Sequence, residues 1–213
     1  MGTRADRSVK RFTALALVAA VALIARACPV GADEAERIVE VLDLGPGMTA
    51  ADVGAGDGDW ALVLSAAVGE TGTVYATEVD EDLVERLETL GLDNFRLNIQ
   101  AVLGDERSSG LEPGCCDGIL LRMVYHHFTD PPAMRANLLA ALMPGGRLAV
   151  IDIVPQADWG ALDGVPDRGG HGIEIADLVA EMIGAGFEID ATHREWREGD
   201  EDRYCVVFRA PKR

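Results

Sequence analysis

The sequence predicts an α/β fold in which helices cover both faces of a doubly wound, mostly parallel sheet. First, an apolar run at 48–51 leads through a glycine-rich turn into a helical segment at 59–68, the strand–turn–helix unit of parallel sheets. Second, short apolar runs continue to alternate with helical segments up to residue 185. Third, a charged hairpin joins the last two strands, which predicts an antiparallel end to the sheet. A chain of 213 residues is long enough for one such domain with a full core.

Each predicted helix carries apolar residues at helical spacing on one face and is followed by glycine or proline. The first helix has Ile38 and Leu42 on its apolar face, and Asp33 is its expected N-cap. Asp80 precedes the third helix, where a short acidic side chain is typical of an N-cap. The predicted helices are 33–44, 59–68, 81–90, 132–143 and 173–185.

The predicted strands are the apolar segments that lie between these helices. The segment at 117–121 is apolar enough to be buried on both faces, as central parallel strands are. The turn at 144–146 (Pro-Gly-Gly) stops the fourth helix and leads into the next strand. The predicted strands are 48–51, 73–79, 99–102, 117–121, 148–154, 187–196 and 204–209.

The charge distribution excludes polyanionic partners. The formal net charge is −17, and because the first 32 residues contain five basic residues and one acid, the rest carries about −21. A field of this sign repels nucleic acid and anionic lipid. We therefore expect no nucleic-acid partner and a neutral or cationic small molecule as the ligand.

Residues 1–32 are predicted to be a leader that precedes a domain at 33–213. A basic start is followed by an apolar run at 14–25, too short to span a bilayer comfortably, and then by small residues. This is the layout of a secretory signal peptide. Two locations stay open: export to the periplasm, or the cytoplasm if the leader is an uncleaved extension. No stable membrane insertion of the domain is expected.

The four cysteines contain no C-x-x-C pair, so a structural zinc site is not predicted. Cys205 lies in an apolar strand pattern and is expected to be a buried thiol. Cys115 and Cys116 are adjacent, and we favour inert thiols over a vicinal disulfide or a pair of ligands for a soft metalloid.

The glycine turn at 52–58 (Asp-Val-Gly-Ala-Gly-Asp-Gly) indicates which ligand the sheet binds. The dinucleotide fingerprint G-x-G-x-x-G has its third glycine where this chain has Asp59. Acidic residues at 52, 57 and 59 would also repel a pyrophosphate. S-adenosylmethionine (SAM) has no phosphate, and its sulfonium and amino groups are cationic. The acidic turn therefore favours SAM.

The segment ADVGAGDG at 51–58 resembles motif I of the class I SAM-dependent methyltransferases. Three further segments resemble later motifs of that family in the same order: VYATEVDEDLVERL at 74–87, GD at 104–105 and LMPGGRLAVID at 142–152. The resemblance covers about residues 35–210. It implies a Rossmann-like seven-stranded sheet with an antiparallel C-terminal strand, and methyl transfer from SAM to a small-molecule acceptor.

The resemblance also implies which residues contact the cofactor. Glu78, which lies 22 residues after Gly56, would bind the ribose hydroxyls, and Asp105 would accept the adenine amino group. Arg122 has two open interpretations: it binds a carboxylate of the cofactor or substrate, or it pairs with a local acid. The predicted cofactor set is Asp52, Gly54, Ala55, Gly56, Glu78, Asp105 and Arg122.

The segment MVYHHFTDP at 123–131 resembles the part of small-molecule methyltransferases that faces the transferable methyl group. His126 and His127, with Tyr125 as a third candidate, are the predicted catalytic residues, because an imidazole titrates near neutrality and can accept a proton. One of two consecutive histidines should point away from the other, so we expect only one to serve the site. Capping of nearby backbone by these histidines is the structural alternative. No metal site is predicted, because His171, His193 and dispersed cysteines are the only further zinc ligands.

Two other classes of function stay open. A non-catalytic module that binds SAM or S-adenosylhomocysteine (SAH) would keep Asp52, Glu78 and Asp105 but have a blocked methyl-facing pocket. A nicotinamide-dependent oxidoreductase would need the glycine that Asp59 replaces. The segment at 155–172 has little periodicity and leaves the fifth strand on the ligand side, so we expect it to cover the acceptor.

Overall fold

The computed structural model describes residues 31–160 and 163–212. The predicted leader lies outside the described residues except for Gly31 and Ala32, so it stays a prediction. The elements in chain order are α1 (Ala32–Leu42), β1 (Thr49–Val53), α2 (Asp59–Val68), β2 (Thr73–Glu78), α3 (Glu81–Asp93), β3 (Ile99–Leu103), β4 (Cys116–Arg122), a 3₁₀ turn (Tyr125–His127), α4 (Pro131–Ala141), β5 (Leu142–Ile153), α5 (Ile175–Gly184), β6 (Glu188–His193) and β7 (Arg203–Arg209).

The seven strands form one sheet in the order β3-β2-β1-β4-β5-β7-β6. Strands β1 to β5 pair in parallel, whereas β7 runs antiparallel to both β5 and β6. The predicted doubly wound sheet with an antiparallel C-terminal strand is confirmed. The chain order changes direction between β1 and β4, and ligands of open α/β sheets bind at such a switch point, beyond the carboxyl ends of the strands.

The core consists of two apolar clusters that use alternate residues of the same strands, as the two faces of a sheet do. On β4, for example, Ile119 and Leu121 belong to one cluster and Leu120 to the other, and all three are fully buried. Helices α4 and α5 pack on the first cluster, and helices α1, α2 and α3 pack on the second. The sheet is therefore covered by helices on both faces.

The helix starts differ from the sequence-based expectation at one cap. Helix α1 begins at Ala32 with Gly31 in the N-cap position, so the prediction of Asp33 as N-cap is wrong. Asp33 instead lies in the first turn, where a negative charge suits the helix dipole. The predicted cap at Asp80 is confirmed, because its side chain accepts from the backbone N–H groups of Asp82 and Leu83.

Strand β5 starts six residues earlier than the sequence predicts. The register between β4 and β5 shifts within the Pro-Gly-Gly segment: Cys116 pairs with Leu142, whereas Gly118 pairs with Arg147. A bulge of this kind lets an irregular turn remain part of the ladder.

Cys115 and Cys116, at the amino end of β4, form a vicinal disulfide in the structure rather than the two inert thiols that we favoured from the sequence. Cys205 is a buried free thiol, as predicted. Within residues 31–160 and 163–212, none of the helices combines the length and the apolar character needed to cross a membrane.

Candidate cofactor and acceptor site

The carboxyl ends of β1 to β4 border one cavity of about 410 Å³, a size in the usual range for small-molecule sites. Its lining consists of residues from the strand ends and the segments that follow them: Val53, Gly54, Thr77, Glu78, Val79, Gly104, Asp105, Glu106, Ser108, Ser109, Met123, Val124, His127, Phe128, Thr129 and Met134. Three residues of the predicted cofactor set are among them: Gly54, Glu78 and Asp105.

The glycine turn is held against β2 by its backbone. The N–H groups of Gly54 and Ala55 both donate to the Thr77 carbonyl at 3.0 Å. Gly54 has φ +73°, and a Cβ there would lie 2.5 Å from Cγ2 of Val124. A Cβ on Gly56, at φ +55°, would meet nothing within 4 Å. Glycine is thus needed for close packing at 54 and leaves open space beside the turn at 56.

Glu78 links the end of β2 to the glycine turn. Its Oε1 accepts from the Gly56 N–H at 2.8 Å, and its Oε2 accepts from the Val79 N–H at 3.1 Å. Each carboxylate oxygen keeps a further lone pair, and the side chain lines the cavity. Glu78 is therefore fixed in orientation and still able to accept from the hydroxyls of a ligand.

Asp52 is a buried carboxylate at the end of β1, only 2% exposed. Its Oδ2 has no hydrogen-bond partner within the described part of the chain. Burial raises the pKa of Asp52 to about 7, with a smaller increase from the charge of Glu78. A backbone hydrogen bond from Ala61 and the charge of Arg122 oppose this rise in pKa. An incompletely paired buried carboxylate fits a ligand that brings a positive charge.

Asp105 orders the loop that follows β3. Its Oδ1 accepts from the backbone N–H groups of Arg107 and Ser108 at 2.7 and 2.9 Å. The residue is exposed and lines the cavity beside Gly104. The side chain thus combines the loop-forming role, which is the ordinary role of a loop Asp, with a position on the cavity wall.

Arg122, at the end of β4, borders a second cavity, of about 920 Å³, together with residues of α1, α2 and the β6–β7 connection. Its Nε and Nη2 donate to the two carboxylate oxygens of Glu34 at 3.1 and 3.4 Å. The guanidinium lies 4.7 Å above the ring of Trp60. Trp196 Nε1 donates to Glu34 Oε1 at 3.0 Å. Of the two interpretations of Arg122, the ion pair with a local acid is therefore present in the structure.

The Arg122→Met variant is expected to lose about 2–4 kcal/mol of unfolding free energy, because Glu34 is only 9% exposed and would lose its cation. The double variant Glu34→Gln/Arg122→Met removes both charges and should recover most of this loss. Urea unfolding of the single and double variants measures the effect. Arg86→Met, which breaks an exposed pair with Asp57, is the matched control and should cost less than about 1 kcal/mol. An equal loss in Arg122→Met and Arg86→Met would contradict the expectation.

The 3₁₀ turn after β4 brings the predicted histidines together, so the expectation that consecutive histidines point apart is wrong. The ring centroids of His126 and His127 are 4.2 Å apart. Nε2 of His171, from the segment after β5, lies 3.0 Å from Nε2 of His126 and 3.5 Å from Nε2 of His127. Successive side chains of a 3₁₀ turn are separated by about 120°, whereas those of a strand point in opposite directions. Two neighbouring rings on such a turn can therefore both contact a third ring that lies between them.

The environments of the three rings differ. His126 is 2% exposed, and its Nδ1 lies 2.5 Å from Oδ1 of the fully buried Asp152. His127 is exposed and lines the cavity. Partial burial of the ring, together with the neighbouring His126 and His171, lowers the pKa of His127 to about 4. Burial and His126 also lower the pKa of His171. His127 and His171 are therefore neutral near pH 7.

Tyr125 is fully buried, and its hydroxyl lies in an ion-pair cluster on α4 and α5 rather than in the cavity lining. The hydroxyl donates to Oε2 of Glu181 at 2.7 Å and accepts from Nη1 of Arg135 at 3.0 Å. Burial and the Glu181 charge raise its pKa. Of the three predicted catalytic residues, the structure brings together His126 and His127 but not the Tyr125 hydroxyl.

Sequence reasoning missed two acids that orient predicted site residues. Asp152 holds His126, and the signal for it was an acidic residue in the otherwise apolar run 148–154. Glu34 holds Arg122 from the first turn of α1, and no spacing along the sequence relates these two residues. His171 was named among the possible zinc ligands, but its position beside His126 and His127 was not predicted.

The sheet order and the carboxylate-bearing glycine turn define a doubly wound α/β protein with a ligand cavity at its carboxyl edge. Residues 51–150 match the family described as a methyltransferase domain. The chain is 28% identical over 119 residues to the demethylmenaquinone methyltransferase of Staphylococcus aureus (strain MRSA252). This match covers 55% of this chain and 48% of that protein. It is also 28% identical over 121 residues to the nocamycin O-methyltransferase of Saccharothrix syringae; this match covers 57% of this chain and 43% of that protein. The chain spans about half or less of the length of these curated relatives.

A solved SAM-dependent methyltransferase from Aquifex aeolicus has the same fold, with a TM-score of 0.68 at 22% identity over 83% of this chain and 89% of that one. The match of residues 51–150, the two curated relatives and the solved structure together support the predicted class I SAM-dependent methyltransferase family, whose cofactor is SAM. The predicted fold class is confirmed.

Proposed function

We propose that this protein transfers the methyl group of SAM to a small-molecule acceptor by in-line displacement. The observation that carries the proposal is one shared cavity, whose lining includes Gly54 of the glycine turn, Glu78, Asp105 and His127. A cofactor anchored by the carboxylates would extend toward the histidines. This arrangement supports a two-substrate reaction better than simple storage of a ligand.

Two features of the site itself fit the cofactor. The unpaired buried Oδ2 of Asp52 matches a molecule with a positive charge. The open space at the Gly56 Cβ position allows a ligand to lie against the main chain, beside the carboxylate of Glu78. Glu78 would accept from the ribose hydroxyls and Asp105 from the adenine amino group. Arg122 would bind the carboxylate of the cofactor only if Glu34 gives way.

Bound SAM supplies a methyl group that is already activated by its sulfonium centre. The protein then has to align the acceptor with that methyl group, exclude water, and accept a proton when the acceptor is a hydroxyl or an amine. His127 lines the cavity, so its ring is placed where it can accept that proton. The buried Asp152 fixes the ring of His126 beside it.

The acceptor is proposed to be small and partly apolar. Met123, Val124, Phe128 and Met134 contribute apolar surface to the cavity, and the net charge of −17 disfavours an anionic acceptor. The names of the two curated relatives, a demethylmenaquinone methyltransferase and a nocamycin O-methyltransferase, are compatible with an organic small molecule.

The Glu78→Ala variant is expected to bind SAM at least about tenfold more weakly, a loss of at least ~1.4 kcal/mol, because the ribose loses its acceptor and the glycine turn loses the bond to the Gly56 N–H. Titration calorimetry measures the affinity. Glu81→Ala, an exposed acid three residues further on, removes the same charge and should leave the affinity unchanged. Equal SAM affinities for Glu78→Ala and the wild type would remove Glu78 from the site.

The remaining alternatives are separated by two inexpensive experiments. Thermal-shift measurements with SAM, SAH and NAD should give stabilisation by SAM and SAH only. Incubation of the protein with a cell extract and methyl-labelled SAM, followed by mass spectrometry, should then reveal a labelled small molecule. Stabilisation by SAM without label transfer into any extract component would favour the non-catalytic module.

A further inference from the structure

We propose that His126, His127 and His171 form a binding site for a divalent transition-metal ion of the zinc type. One nitrogen from each of the three rings can be chosen so that all three lie within 4.8 Å of one another. Among the described residues, His193 is the only histidine outside this group. The sequence predicted no metal site because His171, His193 and dispersed cysteines were the only further ligands, but the fold brings His171 beside His126 and His127.

The spacing of the ring nitrogens matches metal coordination. Zn–N bonds of about 2.0–2.1 Å at the tetrahedral angle put two ligand nitrogens ~3.3–3.4 Å apart. The observed Nε2–Nε2 distances are 3.0 Å for His126 and His171 and 3.5 Å for His127 and His171. A small shift of the rings would therefore bring three nitrogens onto one ion.

Hydrogen bonds between the three rings explain their close approach less well than a shared cation does. An imidazole nitrogen carries either one proton or one lone pair, so Nε2 of His171 can serve only one of its two close contacts. Because Asp152 accepts at Nδ1 of His126, the proton of the neutral ring is on Nδ1 and the lone pair is on Nε2. A cation at the centre would use the lone pairs of all three rings at once.

The carboxylate behind His126 is a typical partner of a metal-binding histidine. Such a histidine donates its other ring N–H to a carboxylate or carbonyl, which fixes the tautomer and raises its basicity. Asp152 has this position: it is fully buried on β5, and its oxygens contact both Nδ1 and the backbone N–H of His126.

The loop that supplies His171 is built to hold this residue in place. The backbones of Gln156 and His171 exchange two hydrogen bonds, at 2.9 and 3.2 Å, which close the loop on itself. The flanking Gly170 and Gly172 have φ of +149° and +128°, and a Cβ on either would lie 2.7 or 2.6 Å from a carbonyl oxygen. Only glycine fits on both sides of the histidine, so the ring position is preorganised.

Three protein ligands leave a fourth position open, as in catalytic zinc sites. Because His127 lines the cavity, we infer that this position is reached by the acceptor. An acceptor R–XH, with X an oxygen or sulfur, would release its proton to solvent on binding the ion. X would then attack the methyl carbon and form X–CH₃ as the methyl–sulfur bond breaks to give SAH. This use of the ion rests on the proposed function, whereas binding of the ion does not.

Metal binding is tested on the full chain without a polyhistidine tag, stripped with a chelator and dialysed against micromolar Zn²⁺. Elemental analysis should find one zinc per chain, and excess Mg²⁺ should not displace it, because imidazole ligands favour transition metals. Co²⁺ should give the strong visible absorption of a four-coordinate site. Failure of the wild type to retain zinc at this concentration would overturn the proposal, whatever the outcome for SAM binding or methyl transfer.

Variants assign the bound ion to the histidines. His171→Ala and His127→Ala should each weaken zinc binding at least about 100-fold, and Asp152→Asn about 10–100-fold. His193→Ala, which removes the remaining histidine, and the double variant Cys115→Ser/Cys116→Ser should bind as the wild type does. Circular dichroism verifies that each variant is folded, and both His171 and His127 are accessible enough for their removal to be tolerated. Zinc retained by His171→Ala with wild-type affinity would also overturn the proposal.

Discussion

At pH 8 and without cofactor, the Asp52→Asn variant should unfold with a free energy about 4 kcal/mol higher than that of the wild type. The pKa of Asp52 is raised from 3.8 to about 7, chiefly by burial. Each pKa unit corresponds to 1.36 kcal/mol, so keeping this carboxylate ionised in the folded state costs ~4 kcal/mol above pH 7. Asparagine has nearly the same shape and no charge, so it avoids that cost.

The pH dependence has a definite sign. Between about pH 4 and 7 the folded protein holds a proton on Asp52 that the unfolded chain has lost, so wild-type stability falls as the pH rises. Below this range the penalty is absent, and above it the penalty is complete. The upper end of this pH range is the pKa of Asp52 in the folded protein. Burial raises this pKa most, Glu78 on β2 raises it as well, and the Ala61 backbone on α2 and Arg122 on β4 lower it.

Urea unfolding of both proteins at several pH values between 4 and 8 measures this difference, because other titrations cancel between them. Asp57→Asn, an exposed acid of the same turn, should show no such growing difference. In the proposed function the same Asp52→Asn change weakens SAM binding at least about tenfold, because the cationic ligand loses its counter-charge. A stability difference that does not change with pH would contradict the assignment of burial as the cause.

The part of the site that the sequence predicted is the part fixed by regular structure. Glu78 ends a parallel strand, and Gly54 and Asp105 follow two others; the carboxyl ends of such strands meet at one edge of the sheet. Strand register then aligns them without any knowledge of tertiary contacts. The interval of 22 residues between Gly56 and Glu78 corresponds to one helix and one strand, and the two residues are directly hydrogen-bonded.

The part that the sequence did not predict depends on contacts between distant, irregular segments. His171 reaches His126 across 45 residues only because its loop closes through Gln156. Glu34 reaches Arg122 across 88 residues because α1 packs over the carboxyl end of β4. Neither arrangement leaves a periodicity in the sequence. A 3₁₀ turn is also too short to be recognised from spacing, so the rings of His126 and His127 were expected to diverge.

The His127→Ala variant is expected to lower turnover about 10²–10⁴-fold, or ~3–5 kcal/mol of transition-state stabilisation, while SAM affinity stays nearly unchanged. The exposed ring lines the cavity and contacts the rings of His126 and His171, so its removal is expected to affect the acceptor side. The same loss is expected whether the ring takes the acceptor proton itself or helps to hold an ion that promotes release of this proton to solvent.

Two further variants make the turnover measurement decisive. His126→Asn keeps an amide N–H near the former Nδ1 for Asp152 and should lower turnover without exposing an unpaired buried carboxylate. His193→Ala, on β6 beside Trp196, removes an imidazole outside the site and should retain wild-type turnover. Transfer of label from methyl-labelled SAM gives the rate, and calorimetry gives the SAM affinity. SAM binding and turnover are measured separately. Wild-type turnover in both His126→Asn and His127→Ala would therefore remove the histidines from the reaction, while the assignment of the cofactor carboxylates would stand.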